Sequence, residues 1–190
     1  MDTDVIVIGS GPGGEGAAMK AVKEGRQVVV VEAYVQVGGG CTHWGTIPSK
    51  TLRHAVQRLV EVRNNPLFMS ALENFELTMQ QLMRSAEAVI RKQVSLRHGF
   101  YERNKVRMVH GRARFVDAHT IEVCQGNGGK EVLKAAHVVL ATGCRPYRPA
   151  DVDFTSTKVF DSDTILGLSD TPQSMTIYGA GVIGCEYASI

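Results

Sequence analysis

Four apolar residues, Val5 to Ile8, run straight into GSGPGGEG, and no other stretch constrains the fold as strongly. The run is β-branched and too short for a helix, so it is expected as a buried parallel strand. Gly9, Gly11 and Gly14 follow it as G-x-G-x-x-G. The first glycine permits a tight turn, the second lets a pyrophosphate approach the backbone, and the third lets helix and strand pack closely. Ala17, Ala18, Met19, Ala21 and Val22 then give a compact helix that Gly25 ends, and Gln27–Glu32 (QVVVVE) gives a second strand. Glu32 stands eighteen residues beyond Gly14, where a carboxylate can accept a hydrogen bond from a ribose hydroxyl. Strand, glycine turn, helix and acid in this order point to a bound dinucleotide. A glycine-rich turn beside a surface glutamate is the alternative.

Downstream, Pro48 and Ser49 suit a helix start, with Leu52, Val56, Leu59 and Val60 along one face until NNP at 64–66 breaks it. A longer helix is expected from about Leu77 to Arg103, with Leu82, Met83, Ala86, Val89, Ile90 and Val94 as its packing stripe. The texture changes near Lys105. Val106–His110, Arg112–Val116, Thr120–Cys124 and Glu131–Lys134 are short and alternating, with QGNGG as a turn, and predict a small β-meander. HVVLA at 137–141 is a further buried-strand candidate closing on ATG. The stretch from Cys144 to Thr157 has two prolines and reads as a connecting loop.

A formal charge of +2 over 190 residues argues against a nucleic-acid partner, since the Lys and Arg residues are scattered as solvated helix faces. MDTDVIVIGS lacks the basic start and long apolar run of a signal peptide, and no stretch approaches the roughly 18 apolar residues of a membrane helix. Cys41, Cys124, Cys144 and Cys185 lie far apart without zinc-type spacing, so no metal site is expected and reduced thiols in a cytoplasm are.

MTIY at 175–178 is a strand candidate that leads into a second fingerprint, Gly179, Gly181 and Gly184. Two fingerprints imply two dinucleotides, with electrons moving between them. Only twelve residues remain from Gly179 to Ile190, against the roughly thirty of a complete βαβ unit, so the chain is expected to be a fragment of a longer protein.

GSGPGGEGAA, GGGCTHWGTIPSKTLRH, ATGCRP and YGAGVIGCEYASI, in this order and spacing from about residue 4 to 190, resemble the flavoprotein disulfide reductase superfamily. CTHWGTIPSK, with Thr46 at the second position of a Cys-x4-Cys pair, is similar to its narrower transhydrogenase branch. The resemblance implies a three-layer FAD-binding Rossmann-like α/β domain with a parallel sheet, a β-meander and a long helical excursion. Residues 1–150 would be that FAD-binding domain, lacking its C-terminal part; 151–174 a connector; and 175–190 the start of a truncated NAD(P)-binding domain. It places Gly9, Gly11 and Gly14 on the FAD pyrophosphate, with Pro12 and Gly13, and Glu32 with Ala33 on the adenosine ribose side. Gly38, Gly39, Gly40, Cys41 and Thr46 would line the flavin side, with Lys50 near its N5. Ala113 would meet the adenine through its backbone, and Ala141, Thr142 and Gly143 would form a second FAD-contacting turn. Gly179, Gly181 and Gly184 would begin the nicotinamide nucleotide site. His43 and Trp44 are expected to pack in their loop, Cys124 and Cys144 to be unpaired structural thiols, and Cys185 to pack.

In the disulfide reductases that the chain resembles, a dithiol carries electrons from the flavin to the substrate, which requires two sulfurs within bonding distance. Thr46 cannot form a disulfide. The implied activity is therefore hydride transfer between NADPH and NAD through FAD, with NAD and NADP(H) as substrates and no side chain assigned a catalytic role. The whole protein is expected to be a cytoplasmic homo-oligomer. Two alternatives stay open: a single-cysteine flavoprotein peroxidase or oxidase acting through Cys41, and a non-catalytic FAD-binding module. An incomplete domain is also expected to hold FAD weakly and to expose apolar surface.

Overall fold

The computed structural model describes residues 2–68 and 78–190. Strands β1 (Thr3–Ile8) and β2 (Val28–Glu32) run parallel, Val5 opposite Val28 and Ile8 opposite Val31, joined by helix α1 (Pro12–Lys23). Pro12 opens α1 where a missing N–H costs nothing. Glu15 in its first turn and Lys20 and Lys23 in its last match the helix dipole, and Gly25, at φ +74°, turns the chain back.

Alternation along the strands divides the core. Val5, Val7, Val28 and Val30 meet Ala18, Tyr101 and Val106 on one face of the sheet, while Ile6, Val29 and Val31 face the other way. Full burial of side chains such as Ile6, Val7 and Val30 contributes about 1.5–3 kcal/mol each.

The sheet order is β3-β2-β1-β6-β5-β4, with β3 at Arg107–His110, β4 at Arg112–Phe115, β5 at Thr120–Cys124 and β6 at Lys130–Leu140. Strand β6 serves twice. Its first half pairs antiparallel with β5, Thr120 opposite Lys134, and its second half pairs parallel with β1, His137 opposite Val5. Ile121, Val123, Leu133 and Ala135 lie against Ile6, Val29, Val31 and Val109 and bury the second face of the sheet. Helices, parallel sheet and meander make the three layers expected from the sequence.

Several details differ from the sequence expectation. The segment 106–110 is not part of the meander: β3 pairs parallel with β2, Val29 opposite Arg107. One residue, Gly111, separates it from β4. Its φ is +157°, its N–H donates to the Glu32 carbonyl, and a Cβ there would lie 2.6 Å from the Cys124 carbonyl oxygen. So tight a corner makes the two strands look like consecutive meander strands. Glu131–Lys134 and 137–141 are one strand, because Ala135 and Ala136 between them break nothing. Its HVVLA end is not buried, and Leu140 is 65% exposed. MTIY forms no strand, since no neighbouring strand among the described residues offers it a ladder.

The chain divides into two compact units, Met1–Thr42 with Lys92–Cys144, and His43–Arg91 with Arg145–Ile190. The first holds all six strands found among the described residues. The second holds α3 (Thr46–Arg63), most of α4 (Met79–Arg103), a 3-10 turn at Ile165–Gly167 and α5 (Val182–Ala188). A five-residue helix, α2 (Gly39–His43), ends at the boundary. Helix α3 buries Leu52, half-buries Val56 and Leu59, and leaves Val60 exposed. The expected start of α4 at Leu77 lies outside the described residues. No helix among the described residues is long and apolar enough to cross a membrane.

Candidate dinucleotide-binding site

Within the first unit, three turns meet at the C-terminal ends of β1, β2 and β6, the edge of an open α/β sheet where ligands bind. Gly9 has φ +105°, donates its N–H to the Val31 carbonyl at 2.8 Å, and lies so close to β6 that a Cβ would sit 2.2 Å from the Ala141 carbonyl oxygen. Ala141 in turn donates its N–H to the Ile8 carbonyl at 2.8 Å. A Cβ on Gly14 would lie 1.8 Å from the Gly9 carbonyl oxygen, so α1 packs on β1 as closely as glycine allows. An ideal Cβ on Gly13 would lie 3.9 Å from the Ala141 Cβ, an ordinary contact.

Gly11 caps α1 with extended backbone and no side-chain acceptor, which leaves the helix N–H groups to outside partners. The loop carrying Gly38 and Gly39 (φ +116° and +60°) approaches it, and a Cβ on Gly39 would lie 2.7 Å from the Gly11 Cα. Gly40 and Cys41 follow in α2, the thiol free and half-buried. This cradle presents free helix N–H groups to an anion and leaves no space for a side chain at Gly9, Gly14 or Gly39.

Glu32 is buried beside the cradle. Its Oε2 accepts the Ser10 N–H at 2.8 Å and the Ser10 hydroxyl at 2.5 Å, and its Oε1 accepts the Tyr34 N–H at 2.8 Å. The Ser10 hydroxyl also accepts the Gly38 N–H at 3.1 Å. Sequence reasoning missed Ser10, which sits at a variable fingerprint position; the available signal was a hydroxyl beside an acid at the neighbouring strand end. Ala33 is exposed next to Glu32, and Ala113 lies on β4 opposite Val123. Thr142 and Gly143 (φ +72°) follow exposed at the end of β6.

Also in this unit, Tyr101 is buried with its hydroxyl unpartnered among the described residues, near the Arg97–Glu15 ion pair at 3.3 Å. Burial first, then the Glu15 and Glu32 carboxylates, push its ionisation well above the ordinary tyrosine range, while Arg97 pulls the other way.

In the second unit, Thr46 is the exposed first residue of α3, and Lys50 projects one turn later. The Lys50 ammonium lies 2.6 and 2.7 Å from the two oxygens of Glu186, a residue of α5 that the sequence did not single out. Its signal was an acid inside the apolar run GVIGCEYA. Arg53 donates to the Ser189 carbonyl at 2.7 Å. Gly179, Gly181 and Gly184 repeat the geometry of the first fingerprint. Gly179 has φ +128°, Gly181 caps α5 without a side chain, and a Cβ on Gly184 would lie 2.2 Å from the Gly179 carbonyl oxygen.

His43 ends α2 rather than lying in a loop; its ring and that of Trp44 are 5.7 Å apart, and the Arg145 guanidinium stands 3.9 Å from the Trp44 ring centroid. Tyr187 donates to the Ser162 carbonyl, and its ionisation is pushed up to about 12 by burial, then by Glu186 and Asp163. Cys124, Cys144 and Cys185 are free but exposed, so Cys185 is not the packing residue the sequence suggested. No group of three metal-ligating side chains is present among the described residues.

Residues 3–190 match the family model described as pyridine nucleotide-disulphide oxidoreductase. The chain belongs to that family. Among family members, it is 57% identical over 189 residues to soluble pyridine nucleotide transhydrogenase of Colwellia psychrerythraea, covering 100% of this chain and 41% of that protein. It is 58% identical over 187 residues to the enzyme of that name from Vibrio vulnificus, covering 98% and 40%. The chain thus spans about 40% of the length of the curated relatives it matches. In fold it is similar to the HOCl-induced flavoprotein disulfide reductase RclA from Escherichia coli, with a TM-score of 0.80 at 23% identity over 97% of this chain and 38% of that one.

Proposed function

We propose that the chain is the FAD-binding part of a flavoprotein that moves hydride between NADPH and NAD through FAD, interconverting NADPH plus NAD with NADP plus NADH, without a redox disulfide. The observation that carries this is position 46. Where a disulfide reductase needs a second thiol five residues past Cys41, this chain has an exposed threonine, in a sequence 57% and 58% identical to soluble transhydrogenases.

The glycine cradle fits a dinucleotide pyrophosphate. Gly9, Gly11, Pro12, Gly13 and Gly14 would bind it, and Glu32 and Ala33 would take the adenosine ribose side. Ala113 would meet the adenine, while Gly38, Gly39, Gly40, Cys41, Thr46, Lys50, Ala141, Thr142 and Gly143 would serve the remaining cofactor. Bound FAD supplies a site that accepts and returns hydride. Uncapped N–H groups of α1 bind negative charge, and the tightly packed loops keep side chains away from it. Glu186 fixes the Lys50 ammonium and so holds a positive charge in place.

The second fingerprint would begin the nicotinamide nucleotide site, with residues 1–150, 151–174 and 175–190 as FAD domain, connector and start of the second domain. A cytoplasmic homo-oligomer whose partners are nicotinamide dinucleotides, not nucleic acid or membrane, goes with this assignment. The test uses the complete protein carrying this chain, loaded with FAD. NADH formation from NADPH and NAD is expected, and largely retained in Cys41→Ser. Absence of transfer in the flavin-loaded protein refutes the proposal, and loss of activity in Cys41→Ser favours the thiol chemistry instead.

A further inference from the structure

Ser10 stands between the two groups of residues assigned to the cofactor. Its side chain is fully buried, its hydroxyl donates to Glu32 Oε2 at 2.5 Å, and the same oxygen accepts the Ser10 N–H at 2.8 Å. In the other direction, the Ser10 hydroxyl accepts the Gly38 N–H at 3.1 Å. One hydroxyl thereby joins the fingerprint turn, the acid at the end of β2 and the loop that leads into α2.

We propose that Ser10 is a positioning residue that sets the Glu32 carboxylate for the ribose of a dinucleotide and couples ribose binding to the order of the Gly38 loop. A carboxylate has about four lone-pair positions. Ser10 fills two on Oε2 and the Tyr34 N–H fills one on Oε1, which leaves one position on Oε1 for an outside donor. The ribose 2′-hydroxyl is a donor of the right kind at the end of this strand. Hydrogen bonds to a carboxylate are the short, strong ones, so two of them from one residue hold the rotamer. An alanine at position 10 keeps the backbone bond but removes the hydroxyl from Glu32 and the acceptor from Gly38. Glu32 then loses part of its lock, and the Gly38 loop loses its link to it.

This inference rests on the assignment of the first fingerprint to a dinucleotide. ADP and 2′-deoxy-ADP are the probes, and titration calorimetry on the complete protein carrying this chain, stripped of its flavin, is the readout. Wild type is expected to prefer ADP by about tenfold, the value of one hydrogen bond to a charged acceptor. Ser10→Ala is expected to reduce that preference to about twofold or less. A merely structural hydroxyl would weaken both ligands equally and leave the preference intact, which overturns the proposal. Wild type that binds ADP without preference also overturns it. Failure of wild type to bind either ligand refutes instead the dinucleotide assignment beneath it.

A second measurement needs no variant. In wild type, saturating ADP is expected to slow hydrogen exchange at the Gly38 amide by about tenfold or more, although ADP carries no flavin. Unchanged exchange at Gly38 with ADP bound overturns the coupling even if Ser10→Ala does not fold.

Discussion

Lys50 and Glu186, 136 residues apart in the chain, form an ion pair in which one ammonium meets both carboxylate oxygens, at 2.6 and 2.7 Å. The pair links the second turn of α3 to α5. The two partners differ in exposure: the Lys50 side chain is 60% exposed and that of Glu186 17%. Removing the lysine leaves a mostly buried carboxylate unpaired, whereas removing the glutamate leaves a lysine that water solvates.

Lys50→Ala should therefore cost more than Glu186→Gln. Solvent screening at the exposed ammonium limits the cost to about 1 kcal/mol, within the range for such pairs. For a chain of this length that corresponds to a fall in melting temperature of about 2–4 °C. Thermal melts of the two variants check the order, and 0.5 M salt should shrink the difference because the lysine end is screened. Equal melting temperatures would show that the pair does not hold α5.

Much of this arrangement was legible in the sequence for identifiable reasons. Gly9 and Gly14 announced the first βαβ unit because their spacing has few other uses, and the unbroken valine run Val28–Val31 announced its second strand. The corner at Gly111 was invisible because a one-residue link between a parallel and an antiparallel strand leaves no turn motif. Ser10 and Glu186 were missed for a different reason: each acts through a partner distant in sequence, and no local pattern reports a pairing across 22 or 136 residues. MTIY had strand composition, yet a strand needs a neighbour for its backbone groups, and composition says nothing about the neighbour.

Two glycines in α1 should respond oppositely to alanine. At Gly14 the added Cβ would lie 1.8 Å from the Gly9 carbonyl oxygen, so helix and strand must separate. A loss of about 2–4 kcal/mol is expected, the range for overpacking that moves backbone. At Gly16 nothing lies within 4 Å of the new methyl and the backbone is helical, so alanine should gain about 0.5–1 kcal/mol by helix propensity. Urea denaturation of Gly14→Ala and Gly16→Ala measures both, and a shared direction of change contradicts the close approach of α1 to β1.

The buried Tyr101 hydroxyl has no partner among the described residues, so it costs desolvation without returning a hydrogen bond. Tyr101→Phe keeps the ring that packs in the helix-side core and should stabilise the chain by about 1 kcal/mol at neutral pH. Destabilisation by Tyr101→Phe would indicate that the hydroxyl is satisfied in solution.

Alkaline pH should act through Tyr187 as well. Its folded-state ionisation lies at about 12 against an ordinary value of 10.0, raised chiefly by burial. Between those values the unfolded chain releases the proton while the folded chain keeps it. Stability is thus fully present below pH 10 and falls as pH rises from about 10 to 12. Tyr187→Phe should flatten that alkaline limb, while losing at neutral pH the hydrogen bond to the Ser162 carbonyl, worth about 0.5–1 kcal/mol. Urea midpoints at pH 8, 10 and 11.5 test both effects.

Trp44 is the one tryptophan in the chain, so its emission reports on a single place. The Arg145 guanidinium stacks 3.9 Å from its ring centroid and is held from behind by Asp163 at 3.0 Å. Asp163→Asn should loosen the arginine without touching the ring, and Arg145→Gln should remove the cation altogether. A cation over a partly buried indole is worth about 0.5–1 kcal/mol. Both variants should alter the emission of Trp44, Arg145→Gln the more, with a stability loss of the same order. Unchanged emission in Arg145→Gln would show that the stack does not persist in solution.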